Sequence, residues 1–329
     1  MKRIELNEYG IPEDVAHCVD TADVGAPASG EVVFEVIAFP INPADIGFCR
    51  GTYRLKPPLP ATPGAECLGR VTAVGNGVAN VARGDLVINL QRENWTQARR
   101  VKAEDVIKLP PDVDHQQAAM LRINPPTAHL LLSDIVDLPP NGWVIQNVAN
   151  SAVGRLVISL AHERGLRTVN VVRREDVFDE LKALCADIVL LDSPDLAARV
   201  KAATNGEPIM LGIDAVSGSA TGRIAACLAD SGTVCTYGSM SGSDPVIPGS
   251  ELIFRGLNHT GFMLGRFLAK RSAAEIEAIY AELCKRIMSG AIHAPVDHIY
   301  PIEEIRTALI RAQTAGRHGK VLISPNGLI

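Results

Sequence analysis

The sequence predicts an α/β chain of two modules: a mostly antiparallel, barrel-like module made from both ends of the chain, and a doubly wound parallel sheet inserted between them. Three observations predict it. The first 110 residues carry short β-type runs at 32–39, 69–74 and 85–90, punctuated by Gly and Pro at 56–60 and 75–77. From about Gln116 strand and helix patterns alternate, the rhythm of a parallel sheet covered on both faces. A last β run at 320–323 closes the chain and is expected to return to the first module. The expected division is 1–118 together with 266–329 for the barrel module, and 119–265 for the inserted one.

Taken in order, residues 117–134 read as helical segments interrupted at Pro125 and Pro126, and 143–148 as a buried strand. Helix 152–165, strand 168–172, helix 175–185 and strand 188–191 follow. Strand 209–214, helix 219–229, strand 233–237 and a strand near 259–264 continue the pattern, before helix 273–289 and the short β-containing tail. No internal repeat is present.

The bulk numbers bound the function. A chain of 329 residues, 47% hydrophobic, with a mean hydropathy of +0.13, can bury two cores. Its net charge of −5 offers no general attraction to nucleic acid or to an anionic membrane. No apolar stretch approaches the roughly 20 residues of a spanning helix, and the first residues lack a secretion or transit pattern, so a cytoplasmic location is expected. Seven dispersed cysteines without a C-x-x-C pair argue against a disulfide framework and a structural zinc knot, and are expected to be buried thiols. The eight histidines show no metal-pair spacing, and Ser217 and Ser219 lack a nucleophile elbow, so neither a histidine metal site nor hydrolase chemistry is expected.

The strand at 143–148 runs through Ala149, Asn150, Ser151, Ala152, Val153 and Gly154 into a helix, the place where a dinucleotide fold sets a pyrophosphate against free helix N–H groups. The glycine pattern is degraded, since Ala149 and Ala152 stand for the first two glycines and Gly154 alone remains. Asn150 and Ser151 can donate side-chain hydrogen bonds to phosphate, or one of them simply caps an ordinary turn. The next strand ends in Arg173 and Arg174, where an NAD-binding fold presents a carboxylate to the ribose. Two guanidiniums there attract a 2′-phosphate, at about 1.5–3 kcal/mol per charge-assisted bond, which favours NADPH over NADH. The alternative is a solvated pair bound to Glu175 and Asp176.

With these residues in place, the chain resembles the medium-chain dehydrogenase/reductase superfamily, and within its zinc-free branch the 2-enoyl thioester reductases and the quinone oxidoreductases. The stretches that carry the likeness are Asn42-Pro43-Ala44-Asp45-Ile46, Gly51-Thr52-Tyr53, residues 59–66, Asn124-Pro125-Pro126-Thr127-Ala128, residues 144–154, residues 166–173 and Tyr237-Gly238-Ser239-Met240. The resemblance implies a GroES-like β-barrel catalytic domain with an inserted Rossmann domain, an active site in the cleft between them, and a homodimer paired through the edge near 259–264.

The positions that match the zinc ligands of the superfamily's alcohol dehydrogenases are Asn42, Ala65 and Ile123, none with a zinc-suited side chain, so no metal is expected. The resemblance makes Tyr53 the catalytic proton donor, delivering to the α-carbon while hydride reaches the β-carbon; plain turn or core packing is the alternative. It places cofactor contacts on Asn124, Thr127, Asn150, Ser151, Ala152, Val153, Arg173, Arg174, Tyr237, Gly238, Ser239, Met240, Phe262, Met263, Leu264 and Lys320, and puts Asn42 and Trp95 beside the substrate. Lys320 equally reads as a surface lysine, and Trp95 as packing. Arg266, Lys270 and Arg271 either meet the phosphates of an acyl carrier or form a solvated face.

The expected function is NADPH-dependent reduction of an activated C=C bond in a small-molecule or acyl-thioester substrate. The competing readings are an NADPH:quinone oxidoreductase and an NADPH-binding relative without turnover. Ala65-Glu66 and Met263 depart from the family pattern and leave the acyl group open.

Overall fold

The computed structural model describes residues 1–329. It divides into two compact units, residues 1–123 with 274–329, and residues 124–273.

In the first unit β1 (Lys2–Leu6) pairs with β2 (Ala16–Asp20), joined through the short α1 (Pro12–Val15). The main sheet holds β3 (Glu31–Pro40), β4 (Leu68–Val74), β5 (Leu86–Asn89), β6 (Ala98–Lys102), β7 (Val106–Leu109), β14 (Val296–Pro301) and β15 (Lys320–Ser324). The order is β14-β15-β3-β4-β5-β7, with β6 also on β3. All pairs are antiparallel except β14 with β15. The tail returns as the sequence suggests, with Ile323 opposite Phe39.

Close packing explains the composition of β4. A Cβ on Gly69 would stand 2.3 Å from the Phe34 ring, so only glycine lets the two strands keep that ring inside. The core also takes Ile4, Leu6, Phe39, Cys49, Cys67 and Trp95. Helices α2 (Pro43–Cys49), α3 (His115–Ala119), α11 (Ala273–Met288) and α12 (Ile305–Gln313) accompany the sheet. Gln117 of α3 both donates to the Ala294 carbonyl and accepts from its N–H, each at 2.9 Å. These two hydrogen bonds, with that of the Ile123 N–H to Glu66, keep the chain with the barrel until residue 123, past the 118 read from the sequence.

The second unit is a six-stranded parallel sheet: β8 (Trp143–Asn147), β9 (Arg167–Val172), β10 (Ile188–Leu191), β11 (Ile209–Asp214), β12 (Thr233–Thr236) and β13 (Asn258–Gly261). Its order β10-β9-β8-β11-β12-β13 is that of the doubly wound dinucleotide fold, with the switch point between β8 and β11. Helices α4 (Asn124–Ser133), α5 (Ala152–Glu163), α6 (Phe178–Lys182), α7 (Leu196–Ala203), α8 (Ser219–Ala226), α9 (Gly249–Phe254) and α10 (Leu264–Leu268) complete it. Phe262 packs on Phe267 with centroids 4.4 Å apart, and Arg271 pairs with Asp134. These contacts hold 264–273 to this unit, beyond the boundary at 265 that the sequence suggests.

Three local expectations need correction. Pro125 and Pro126 do not interrupt a helix; they lie in the first turn of α4, where a missing N–H leaves no bond unmade. The helix expected at 175–185 is a 3-10 turn (Glu175–Val177) followed by α6. Cys185 is exposed and Cys18 and Cys227 are half-buried, so burial holds for only four of the seven free thiols. No helix is long and apolar enough to cross a membrane.

Candidate active site

The site residues fall into two sets, one in each unit. In the parallel-sheet unit, β8 leads to Val148, whose φ of +50° lies in the left-handed region that a β-branched residue rarely adopts. The chain then turns through Ala149 and Asn150 to Ser151, the N-cap of α5, whose Oγ accepts from the Gly154 N–H at 3.1 Å. Ala149 is fully buried beside Ile158, Val172 and Leu181, so it supports the turn from behind. A Cβ on Gly154 would come within 2.6 Å of the Ala149 carbonyl oxygen, which explains why this glycine alone persists.

Asp214, at the carboxyl end of β11, organises the switch point. It accepts from Asn147 Nδ2 at 2.6 Å, from the Val216 and Ser217 N–H groups, and from the Thr221 and Thr236 hydroxyls. Asn147 in turn accepts from the Ala215 N–H at 2.8 Å. Tyr237 follows β12, with its N–H on the Asp214 carbonyl; burial pushes its phenol up, partly offset by a hydrogen bond with Ser151. Gly238 is confined by the Ala215 carbonyl, 2.8 Å from any added Cβ. Ser239, Met240 and Met263 are exposed, and Leu264 opens α10. The Phe262 side chain is buried on Phe267, which leaves only its backbone for a ligand.

Asn124 and Thr127 lie buried in the first turn of α4, and Asn124 Nδ2 has no hydrogen-bond partner. A buried donor left unmade is costly, so this amide awaits an acceptor. At the end of β9 the two arginines separate. Arg174 pairs with Asp176 at 3.3 Å, in line with the solvated alternative for that residue, while Arg173 is exposed and makes no ion pair. The cradle at Gly154, the orphaned Asn124 amide and the free Arg173 guanidinium fit the anionic and amide parts of a nicotinamide dinucleotide phosphate.

In the barrel unit Tyr53 is half-buried, packs against the main core, and lies under the Arg92 guanidinium, 5.1 Å from its ring centroid. Its N–H and that of Thr52 both donate to the Gly47 carbonyl, at 3.0 and 2.9 Å. The turn carrying Tyr53 is thus bound to the last turn of α2.

The other end of α2 meets a buried polar network that sequence reasoning did not assemble. Asn42, its N-cap, donates from Nδ2 to Glu66 Oε1 at 2.7 Å and accepts at Oδ1 from Lys320 Nζ. Glu66 Oε2 accepts from the Ile123 N–H at 2.9 Å. Asp45 accepts from the Asn42 and Ala65 N–H groups, each at 3.0 Å, and Arg122 donates to the carbonyls of Ala65 and Leu90. Tyr280 closes the set by donating to the Arg122 carbonyl at 2.9 Å. Glu66 is 1% exposed and Lys320 6%. Burial pushes Glu66 up to about 7 against the pull of Lys320, and pulls Lys320 down to about 8 against the pull of Glu66. Burial likewise raises Asp45.

Two expectations change here. Lys320 is not a surface lysine, because β15 carries it inside the barrel to Asn42. Trp95 does not face a substrate; it is fully buried and stacks on Phe39 at 5.7 Å, held by backbone bonds to Ile4 and Pro63. Glu66, Asp45 and Arg122 were passed over because separated positions meet only once β4, α2 and β15 are assembled. The signal available was the acidic residue beside Ala65 and the Asp three residues after Asn42.

A barrel joined to a parallel doubly wound sheet is the architecture of a two-domain dehydrogenase/reductase. Residues 28–110 match the family model described as the alcohol dehydrogenase GroES-like domain, and residues 152–282 that of the zinc-binding dehydrogenase. The chain is 35% identical to the mitochondrial enoyl-[acyl-carrier-protein] reductase of Bos taurus, over 93% of this chain and 85% of that one. It is 30% identical to the Dictyostelium discoideum enzyme of the same name, over 98% and 94%. Among solved structures it resembles the complex of Etr1p with NADP and crotonyl-CoA, at TM-score 0.87 and 26% identity over 98% and 99% of the two chains. It also resembles Escherichia coli quinone oxidoreductase complexed with NADPH, at TM-score 0.90 and 25% identity over 99% and 100%. The chain belongs to the medium-chain dehydrogenase/reductase superfamily, in the branch of the enoyl thioester reductases and quinone oxidoreductases.

The zinc implied by the second family model does not fit these residues. Ala65 and Ile123 offer no donor side chain, and the Asn42 amide is taken up by Glu66 and Lys320. Nowhere do three or more His, Cys, Asp or Glu side chains gather as ligands.

The buried charges set a pH dependence. The folded-state pKa of Glu66 is raised above its unfolded value of about 4.3, so the stability it contributes is present below that value and lost as pH rises through about 7. Urea unfolding of the parent and of Glu66→Gln at pH 5, 6 and 7 should show stability falling less steeply with pH in the variant. Parallel curves would refute this account of the carboxyl.

Proposed function

We propose that this protein reduces 2-enoyl thioesters with NADPH, hydride going to the β-carbon and a proton to the α-carbon, without a metal. The observation that carries this reading is Tyr53, a phenol on a turn bound to α2, in a unit whose zinc-ligand positions are Asn42, Ala65 and Ile123. The likeness to the enoyl reductases, and to the Etr1p complex with NADP and crotonyl-CoA, supports it.

When bound, the nicotinamide dinucleotide phosphate supplies the hydride. The turn at Asn150, Ser151, Ala152 and Val153 holds its pyrophosphate with N–H groups at the start of α5, and Arg173 takes the 2′-phosphate. The Asn124 amide, with Thr127, Tyr237, Gly238, Ser239 and Met240, lines the ribose and nicotinamide side. Phe262, Met263 and Leu264 add backbone and apolar contact. The Tyr53 hydroxyl donates its proton to the enolate as charge develops. Arg92 fixes the ring from above.

The second reading, an NADPH:quinone oxidoreductase, is favoured by the likeness to the E. coli enzyme. It does not require a proton from Tyr53. NADPH oxidation measured over crotonyl thioester, free enones and quinones should rank the thioester first. Tyr53→Phe should lower its kcat by about 100-fold or more, the usual scale of lost general acid catalysis, and leave quinone turnover nearly unchanged. A parent that prefers quinones, or a phenylalanine variant with full enoyl activity, excludes the first reading.

Cofactor choice rests on Arg173. Arg173→Ala should raise KM for NADPH by about 10- to 100-fold while KM for NADH stays put, since only the 2′-phosphate loses a charged bond. Equal changes for both cofactors would remove that role.

We also propose a homodimer. All four residues of the edge strand β13 are exposed, and nearby Ile253 and Phe254 are 75% and 83% exposed. Light scattering should give twice the 35.1 kDa of one chain; a mass of one chain speaks against it.

A further inference from the structure

We propose that Glu66 is the positioning residue of this site: its carboxylate accepts from the Asn42 amide and the Ile123 N–H together, and so locks the start of α2, and with it the turn carrying Tyr53, to the rest of the barrel. This rests on the role proposed above for Tyr53. Glu66 is 1% exposed, enclosed by protein on all sides, so it acts through α2.

Donors and acceptors fix the arrangement around Asn42. The Lys320 ammonium has donors only, so the Asn42 atom facing it must be the oxygen. The Asn42 amide therefore turns its N–H group the other way, toward residue 66, at 2.7 Å. Residue 66 meets a second donor, the Ile123 N–H, at 2.9 Å on its other oxygen. A side chain of this length that accepts at both ends is a carboxylate; glutamine would set its own NH₂ against one of the two donors. Asn42 is the N-cap of α2, and its N–H is held by Asp45 at 3.0 Å. Toward the far end of this seven-residue helix, the Gly47 carbonyl takes the N–H groups of Thr52 and Tyr53. A short helix fastened at both ends transmits a shift at Asn42 to the phenol, and Glu66 is the side chain that bonds both Asn42 and the Ile123 N–H, beside the Asp45 and Arg122 bonds to Ala65.

The chain of bonds has one conservative reversal. In the double variant Asn42→Asp with Glu66→Gln, the new carboxylate accepts from Lys320 and from the new amide, whose oxygen still accepts from Ile123. Every bond and the net charge survive.

Two readouts on the full chain test this: amide hydrogen exchange at Thr52 and Tyr53 without cofactor, and kcat and KM with NADPH and crotonyl thioester. Glu66→Gln should speed exchange at both amides by about tenfold. It should also lower kcat by about 10- to 100-fold, as a misplaced catalytic group does, with KM for NADPH within about threefold. The double variant should recover both. Unchanged exchange in folded Glu66→Gln, or no recovery in the double variant, overturns the proposal. Should Glu66→Gln not fold, Asn42→Ala, which cuts the same link, carries the same readouts. Exchange that shifts and recovers while the parent leaves crotonyl thioester untouched upholds Glu66 as the positioning residue and removes the enoyl reading instead. Parent-like behaviour of Glu66→Gln beside an inactive Tyr53→Phe removes the positioning role and keeps the reading.

Discussion

A carboxylate and an ammonium enclosed in the barrel, with one amide between them, form the constraint on which the rest depends. Taking two charges out of water costs several kcal/mol each, and their attraction offsets this only if the remaining donors and acceptors are satisfied. Glu66 is bonded by the Asn42 amide and the Ile123 N–H, Lys320 by the Asn42 oxygen, and Asp45 and Arg122 bind neighbouring backbone. The three positions where zinc-dependent relatives keep their ligands are all drawn into these bonds. Where a cation with four ligands would tie segments together, an ammonium, an amide and two carboxylates do so here.

The parallel-sheet unit solves a different problem. Its phosphate turn lacks two of the usual glycines, the left-handed conformation is imposed on Val148 at a cost in strain, and close helix-to-strand packing is left to Gly154. Asp214 holds the ends of β8, β11 and β12 in one arrangement by accepting from five donors. Strain at the turn is tolerated because that hub over-determines the strand ends around it. Asn124 is left with an unmade bond, and Arg173 with an unpaired charge, which is the pattern of a site waiting for a ligand.

Much of the fold was legible from local pattern. The alternation after Gln116 located five of the six parallel strands closely and the sixth to within a few residues, and the central strands, buried on both faces, read most clearly as continuous apolar runs. The early barrel strands β1, β2, β6 and β7 were not read, since charged residues such as Lys2, Glu5, Arg99 and Lys108 dilute their pattern on the solvated face. Pro125 and Pro126 misled because a proline pair reads as a break unless the helix start is known. For the site, the turn at 150–154 and the arginine pair were visible as motifs. Which arginine stays free was not, because Asp176 reaches Arg174 only in the folded turn.

By itself the sequence determined what depends on neighbours along the chain: the order of strands and helices, the phosphate turn, the basic end of β9, and side chains at the zinc positions that cannot bind the metal. Tertiary structure decided what depends on residues far apart in number. It sent Trp95 into the core against Phe39, carried Lys320 inward to Asn42, and joined Glu66 to both α2 and Ile123. The physical reason is that burial and hydrogen-bond polarity belong to the assembled set of segments. A charge such as Lys320 has its partner Asn42 only when segments 278 residues apart in the chain lie side by side.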